Sequence, residues 1–289
     1  WAVSRAFYIA STGRPGPVVL DFTKDAQVGL TDFEFRKCSF IRSYVPELPV
    51  PMEEVARAAE LIDKAERPMV VYGQGVILGG AEKALAEFIE KGDIPAASTL
   101  LGLAALPSSS RLYQGMIGMH GNVAPNIKTN ECDVLIAVGM RFDDRVTGTL
   151  SKYAKQAKVI HIDIDASEIG KIVPVEVGIN ANAAEVLPAL TSMIGARRRD
   201  AWVDSFSECA RIECEKVIDR ELHPGEGHIR MGEVIDKVSE VTGGGAVIVT
   251  DVGQNQMMAA RYSRFNRTRS FISSGGLGTM GFGLPAAIG

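Results

Sequence analysis

Disulfide chemistry is the first thing this sequence argues against. It has four cysteines in 289 residues, Cys38, Cys132, Cys209 and Cys214, with no C-x-x-C pair, too sparse for a disulfide framework at this size. Reduced thiols and a cytoplasmic setting are expected. No apolar run reaches the roughly 18 residues of a membrane helix. A basic surplus is also missing. Against 35 acids stand 31 Lys and Arg, a net charge of −4, so neither nucleic acid nor an anionic membrane is expected as partner. There is no His/Cys/Asp spacing of a zinc site, no Gly-x-Ser-x-Gly elbow and no P-loop. Aromatics are few at 7%, while glycine is abundant at 30 residues. Many tight turns and glycine-dependent phosphate sites give that pattern, and so do plain α/β loops. Hydrophobic residues at 46% and charged residues at 23% suffice for a sizeable core and exclude disorder as the main state.

Along the chain, residues 1–11 suit a helix, Gly13-Arg14-Pro15-Gly16-Pro17 a turn, and residues 18–22 a short β-rich run. Pro46, Pro49 and Pro51 mark a linker. Val55, Ala58, Ala59 and Ile62 have i, i+3, i+4, i+7 spacing, which predicts a helix over 52–66. Strands are expected at 68–72, 95–100, 133–138 and 158–165, with a helix at 81–91. Near-continuous apolar strands alternating with helices imply a parallel sheet covered on both faces, spanning about 50–195. The run Arg197, Arg198, Arg199 reads as a solvated helix face or linker. A third block begins near Gly227, with a helix at 231–241 and strands at 246–250 and 269–272. The chain opens on Trp1 and stops at Gly289 within a glycine loop entering a small-residue helix, so it reads as the interior of a longer protein.

In an open parallel sheet, ligands sit beyond the carboxyl ends of the strands. There stand Gly73-Gln74-Gly75, Thr99-Leu100, Gly139-Met140-Arg141 and Asp163-Ile164-Asp165. Glycines let backbone N–H groups approach a phosphate, and Arg141 and Arg145 suit pyrophosphate oxygens. Asp163 or Asp165 suits ribose hydroxyls. Together these read as a dinucleotide site. Gly73-Gln74-Gly75 taken alone reads equally as a strand-end turn, and 141–145 taken alone as a salt-bridge cluster. Met119-His120-Gly121, in a glycine loop, suits either a structural role or a cofactor contact. Asp143 and Asp144 are not an acid/base pair, because adjacent residues point in different directions.

Gly139-Met140-Arg141-Phe142-Asp143-Asp144-Arg145-Val146-Thr147-Gly148 resembles the flavin-binding signature of acetolactate synthase large subunits, a family of thiamine-diphosphate enzymes. Gly13-Arg14-Pro15-Gly16-Pro17-Val18 resembles the end of that family's pyrimidine-binding domain. Asp251-Val252-Gly253-Gln254-Asn255-Gln256-Met257 and the segment 274–285 resemble the start of its diphosphate-binding domain. The resemblance implies an α/β chain with a central parallel-sheet, Rossmann-like domain flanked by parts of two further α/β thiamine-diphosphate-binding domains. The implied limits are 1–36 for the tail of the pyrimidine domain, 37–49 linker, 50–195 central FAD domain, 196–226 linker, and 227–289 head of the diphosphate domain. It implies a transferase of branched-chain amino-acid biosynthesis that decarboxylates pyruvate and condenses the hydroxyethyl unit with pyruvate or 2-ketobutyrate. The cofactors would be thiamine diphosphate, Mg2+ and FAD.

Carried over, FAD contacts fall on Arg14, Gly73, Gly75, Thr99, Leu100, Met119, His120, Gly139, Arg141, Asp144, Arg145, Asp163 and Ile164. Thiamine diphosphate contacts fall on Gly253, Gln254, Asn255, Gly278 and Met280. Lys24 and Arg145 match residues on the substrate side. Asn255 stands where many members have His, and Asn180 where an Asp is expected. The catalytic glutamate is expected upstream of Trp1 and the Mg2+ ligands after Gly289, so the 289 residues alone are expected to be inactive. A homodimer or homotetramer with its active site between subunits, and a small regulatory subunit, are implied partners. The alternatives are a glyoxylate carboligase or pyruvate oxidase type of enzyme, or a noncatalytic nucleotide-binding module.

Overall fold

The computed structural model describes residues 1–225 and 227–289; Glu226, last residue of the expected second linker, lies outside the described residues. The chain divides into two compact units, 1–49 and 50–289. In the first, the helix Ala2–Ser11 is followed by Thr12, whose hydroxyl donates to the Tyr8 carbonyl. The rings of Tyr8 and Tyr44 meet edge to face at 5.9 Å. Residues 18–22, expected as a strand, are irregular, and Val19 is 90% exposed. A strand needs a ladder partner, and the one backbone bridge among this unit's described residues joins Ile41 and Tyr44.

The second unit is built on six strands: β1 Pro68–Tyr72, β2 Ala96–Ser98, β3 Tyr113–Met116, β4 Val134–Val138, β5 Lys158–Asp163 and β6 Val177–Asn180. All pair in parallel, in the order β3-β2-β1-β4-β5-β6. The alternation of side chains sends Val70, Tyr72, Ile136, Val138, Ile160 and Ile162 to one face. There they meet the helices Met52–Lys64, Glu82–Gly92 and Ala183–Met193. Met69, Val71, Leu135, Ala137 and Val159 point the other way, toward Ala124, Trp202 and Phe206. The predicted stripe Val55, Ala58, Ala59 and Ile62 is buried. Sheet and helices thus form the doubly covered α/β layer expected.

Residues 196–226, expected as a connection, carry the helix Asp200–Glu213, a π-helical turn at Cys214–Ile218 and the short helix Asp219–Leu222. The Trp202 indole N–H donates to the Pro68 carbonyl at 2.8 Å, and Phe206 is fully buried. The arginine run is not wholly solvated. Arg199 is buried, with its guanidinium on the carbonyls of Gly92, Ile62 and Ala65. The reason is local: helices ending at Lys64 and Gly92 leave carbonyls without intrahelical partners.

Beyond the helix Met231–Val241, β7 Ile248–Thr250 and β8 Phe271–Ser273 pair in parallel. Arg269, expected to open the second of these strands, instead has φ +59°. Its guanidinium reaches the Ile77 carbonyl and Glu82. Leu103, Ala104 and Met116 pack with Ala260 and Phe265, joining this part to the six-stranded sheet. No helix among the described residues is long and apolar enough to cross a membrane.

Candidate functional site

The strand order reverses between β1 and β4, where one connection runs to each side, and their carboxyl ends open the crevice in which doubly wound sheets take ligands. Gly73 and Gly75 leave β1 against Gly139, which leaves β4. The Gly73 N–H donates to the Val138 carbonyl at 2.9 Å and the Gly75 N–H to the Gly139 carbonyl at 3.0 Å. A Cβ at Gly75 would stand 2.6 Å from the Gly139 Cα, so only glycine permits this approach. Thr99 joins the group through its N–H to the Tyr72 carbonyl at 2.8 Å, and Leu100 opens a 3-10 turn beyond β2.

After Gly139, at φ +57°, the chain buries Met140 and Phe142 and leaves Arg141 exposed between them. Asp143 accepts from the N–H groups of Arg145 and Val146 and pairs with Arg141 at 3.2 Å. It is a helix cap and an ion-pair partner, as its place before the helix Asp144–Thr147 requires. The Arg145 carbonyl accepts from the Met119 N–H at 2.8 Å, which sets Met119 and exposed His120 beside Asp144 and Arg145. Two residues that sequence reasoning missed hold this loop. Asn126 accepts from the Gly118 N–H and donates to its carbonyl, and Asn122 accepts from the Met116 N–H. Their signal was two asparagines four apart just after a glycine loop.

At the end of β5, the Asp163 carboxylate accepts from the Asp165 N–H at 2.9 Å. Asp165 spends one oxygen on the Ser167 N–H and hydroxyl, at 2.9 and 2.7 Å. Of the two, Asp163 and the adjoining Ile164 stand at the strand end. Asn180, its partner across the ladder, donates to the Asp163 carbonyl at 3.0 Å. An aspartate there would have no N–H to give and would add a second negative charge beside Asp163. Buried His161 donates from Nε2 to the Met140 carbonyl at 2.8 Å. Burial pulls its pKa below 6.5, against the opposing pull of that carbonyl, Asp163 and Glu168. Exposed guanidiniums and a strand-end carboxylate at a switch point fit a dinucleotide with a pyrophosphate and hydroxyl-bearing ribose, while the Gly73 and Gly75 N–H groups are already given to the Val138 and Gly139 carbonyls. Arg14 and Lys24 are exposed in the first unit, Lys24 at the start of the helix Lys24–Val28.

A second group forms at the ends of β7 and β8. Asp251 accepts from the N–H groups of Val252 at 2.9 Å, Gly281 at 3.0 Å and Gly283 at 3.1 Å, which hold its carboxyl below the usual range. This residue, not singled out from sequence, brings Gly253, Gln254 and Asn255 beside the loop of Gly278 and Met280. Gly253 at φ +96° and Gly281 at φ +83° have no atom within 4 Å of where a Cβ would stand. Such bare backbone fits the close approach of a diphosphate. Asn255 leans on the Val252 carbonyl at 3.4 Å. The β8 loop touches the first group, since a Cβ at Gly275 would lie 3.2 Å from the Leu100 side chain. Among the described residues no cluster of His, Cys, Asp or Glu could hold a metal ion, so no residue here is assigned to Mg2+.

Two family models match the chain. The thiamine pyrophosphate enzyme central domain matches residues 55–190, and the thiamine pyrophosphate enzyme C-terminal binding domain matches 251–289. A probable acetolactate synthase large subunit of Methanocaldococcus jannaschii is 41% identical over 98% of this chain and 49% of its own length. The acetolactate synthase isozyme 2 large subunit of Escherichia coli is 41% identical over 99% of this chain and 50% of its own. The acetolactate synthase large subunit of Haemophilus influenzae is 38% identical over 99% of this chain and 51% of its own. The chain spans about half the length of these curated relatives. With two consecutive domains matched in order and relatives alike along nearly its whole length, the chain belongs to the thiamine pyrophosphate enzymes.

Proposed function

We propose that these residues are part of an acetolactate synthase large subunit, which converts two molecules of pyruvate to 2-acetolactate and carbon dioxide, or takes 2-ketobutyrate as the acceptor. The observation that carries this reading is the identity of about 40% to relatives of that name over 98–99% of the chain. The proposed division is a pyrimidine-domain tail at 1–36, a linker at 37–49, a central FAD domain at 50–195, a connecting segment at 196–226 and a diphosphate domain from 227.

In this reading FAD lies along the crevice beyond β1, β2, β4 and β5. Arg141 and Arg145 face its phosphates or ring system, and it crosses the strand ends where Gly73, Gly75 and Gly139 pack on one another. Met119, His120 and Asp144 flank it, Thr99 and Leu100 line the β2 end, and Asp163 and Ile164 take the adenosine end; Arg14 is a further FAD residue by the family resemblance alone. The carboligation has no net redox, so the flavin's role is structural. Bound thiamine diphosphate supplies the electron sink for decarboxylation and transfer. Gly253, Gln254, Asn255, Gly278 and Met280 hold it, with Asp251 fixing their two loops in register. Lys24 and Arg145 are each assigned to the substrate side by the family resemblance alone. The catalytic glutamate and the Mg2+ ligands are assigned to no residue of this chain. A homo-oligomer with its active site between subunits, a small regulatory subunit and a cytoplasmic location complete the proposal; the relatives' designation as large subunits supports the second of these.

The test is turnover of pyruvate by the protein with its natural flanking sequence, supplied with thiamine diphosphate, Mg2+ and FAD. Acetolactate accumulating with one carbon dioxide per product is expected. Turnover of glyoxylate but not pyruvate, oxygen consumption without acetolactate, or FAD binding with no turnover would overturn the reading in favour of its rivals.

A further inference from the structure

His161 sits in the middle of β5, fully buried, on the sheet face otherwise made of Met69, Val71, Leu135, Ala137 and Val159. An imidazole on that face costs desolvation, which its contacts must offset. Its hydrogen bond and its aromatic contact share one target. Nε2 donates to the Met140 carbonyl at 2.8 Å. The Phe142 ring meets the imidazole edge to face, centroids 5.1 Å apart and planes at 79°. Met140 and Phe142 are the two neighbours of Arg141, and both are buried while Arg141 is half exposed. Phe142 holds φ +54°, a backbone state that a side-chain-bearing residue adopts when its surroundings impose it. Nδ1 has no hydrogen-bond partner. Its hydrogen bond and its ring contact therefore both go to the segment that carries Arg141, while the Asp163 carboxylate lies 4.0 Å from Nε2.

We infer that His161 is a positioning residue that aims Arg141 by pinning the backbone on both sides of it. The inference rests on the reading of the 139–148 segment as a flavin site. His161 touches no ligand itself. It fixes the carbonyl before Arg141 and the ring after it, so the guanidinium leaves the loop in one direction.

The test is FAD affinity of the full-length protein, read by quenching of flavin fluorescence, with the stability of the flavin-free protein measured beside it. Arg141→Ala is expected to weaken FAD at least about tenfold, the scale of a charge-assisted hydrogen bond. His161→Met, which keeps bulk but loses the N–H and the ring contact, is expected to weaken it by about tenfold. His161→Gln, which keeps an N–H for the Met140 carbonyl, restores most of that loss. The double variant Arg141→Ala, His161→Met binds no more weakly than Arg141→Ala alone, because the histidine acts through the arginine. If Arg141→Ala leaves FAD unaffected, the flavin reading of this segment fails. If Arg141→Ala weakens FAD while His161→Met binds as the wild type does, or its effect adds in full to that of Arg141→Ala, the positioning role fails and the flavin reading stands. Should His161→Met not fold, Phe142→Leu replaces it, with the same direction and the same non-additivity expected and wild-type affinity overturning the inference.

Discussion

A neutral imidazole held in an apolar layer ties stability to pH. Burial keeps the His161 pKa below 6.5 in the folded protein, while unfolding returns it to that ordinary value. Near and below pH 6.5 the unfolded chain therefore binds a proton that the folded chain refuses. Stability contributed here is complete above the unfolded value, falls as pH drops through it, and stops falling once the lower folded value is passed. Asp163, 4.0 Å from the ring, and Glu168 soften the effect by favouring the charged form. Urea unfolding between pH 5 and 7.5 should show the wild type losing more stability on acidification than His161→Gln. Equal losses would mean that the imidazole stays charged, or solvated, in the fold.

Between elements, one ion pair with a buried carboxylate and a part-buried guanidinium ties the two candidate sites together. Glu213, last residue of the helix Asp200–Glu213, pairs with Arg261 near the end of the helix Gln254–Tyr262. The carboxylate also accepts from the Val123 N–H at 2.9 Å, and the guanidinium reaches the Gly121 carbonyl at 3.3 Å. The His120 loop and the helix that begins beside Gly253 thus share one anchor. Glu213→Leu leaves the part-buried arginine without its carboxylate and should cost about 3 kcal/mol, the low end for such a break. Glu213→Leu with Arg261→Met should recover more than half of it in a denaturation cycle; no recovery would locate the cost in the lost Val123 and Gly121 bonds. Elements of this kind differ in how far the sequence reveals them. Runs such as Met69-Val70-Val71-Tyr72 announce β1, β4 and β5. β3 was missed because Tyr113-Gln114-Gly115-Met116 breaks the apolar run, and β6 because its four residues include a glycine and an asparagine. The helix Asp200–Glu213 was read by its charges, which masked Trp202 and Phe206 at i, i+4 spacing. At the candidate site, glycine-ended strands were legible. Asn122, Asn126, Asp251 and His161 were not, because each acts on backbone whose position only the fold decides.

For the whole molecule, that masked helix decides where a stable core ends. The strand and helix pattern alone suggests that residues 50–195 fold independently. One face of the sheet is nearly complete within them, against helices at 52–64, 82–92 and 183–193, with Val203 the one buried residue of that cluster from beyond 195. The other face is not. Met69, Val71, Leu135 and Ala137 pack with Trp202 and Phe206, and the Trp202 indole satisfies the carbonyl of Pro68. Arg199 adds hydrogen bonds to the ends of two helices on the first face. Removing one such aromatic from a core costs about 3–5 kcal/mol, against about 5–15 kcal/mol for the stability of an entire domain. Losing both, together with the arginine, leaves little margin and an uncovered apolar sheet face. Residues 50–222 should therefore unfold cooperatively in urea. Residues 50–195 should bind a hydrophobic dye and melt over a broad range, as a collapsed state without fixed packing does. A sharp, dye-free transition from 50–195 would show that the second face can close on the helix Val123–Lys128 alone, and that the helix Asp200–Glu213 is dispensable to the core.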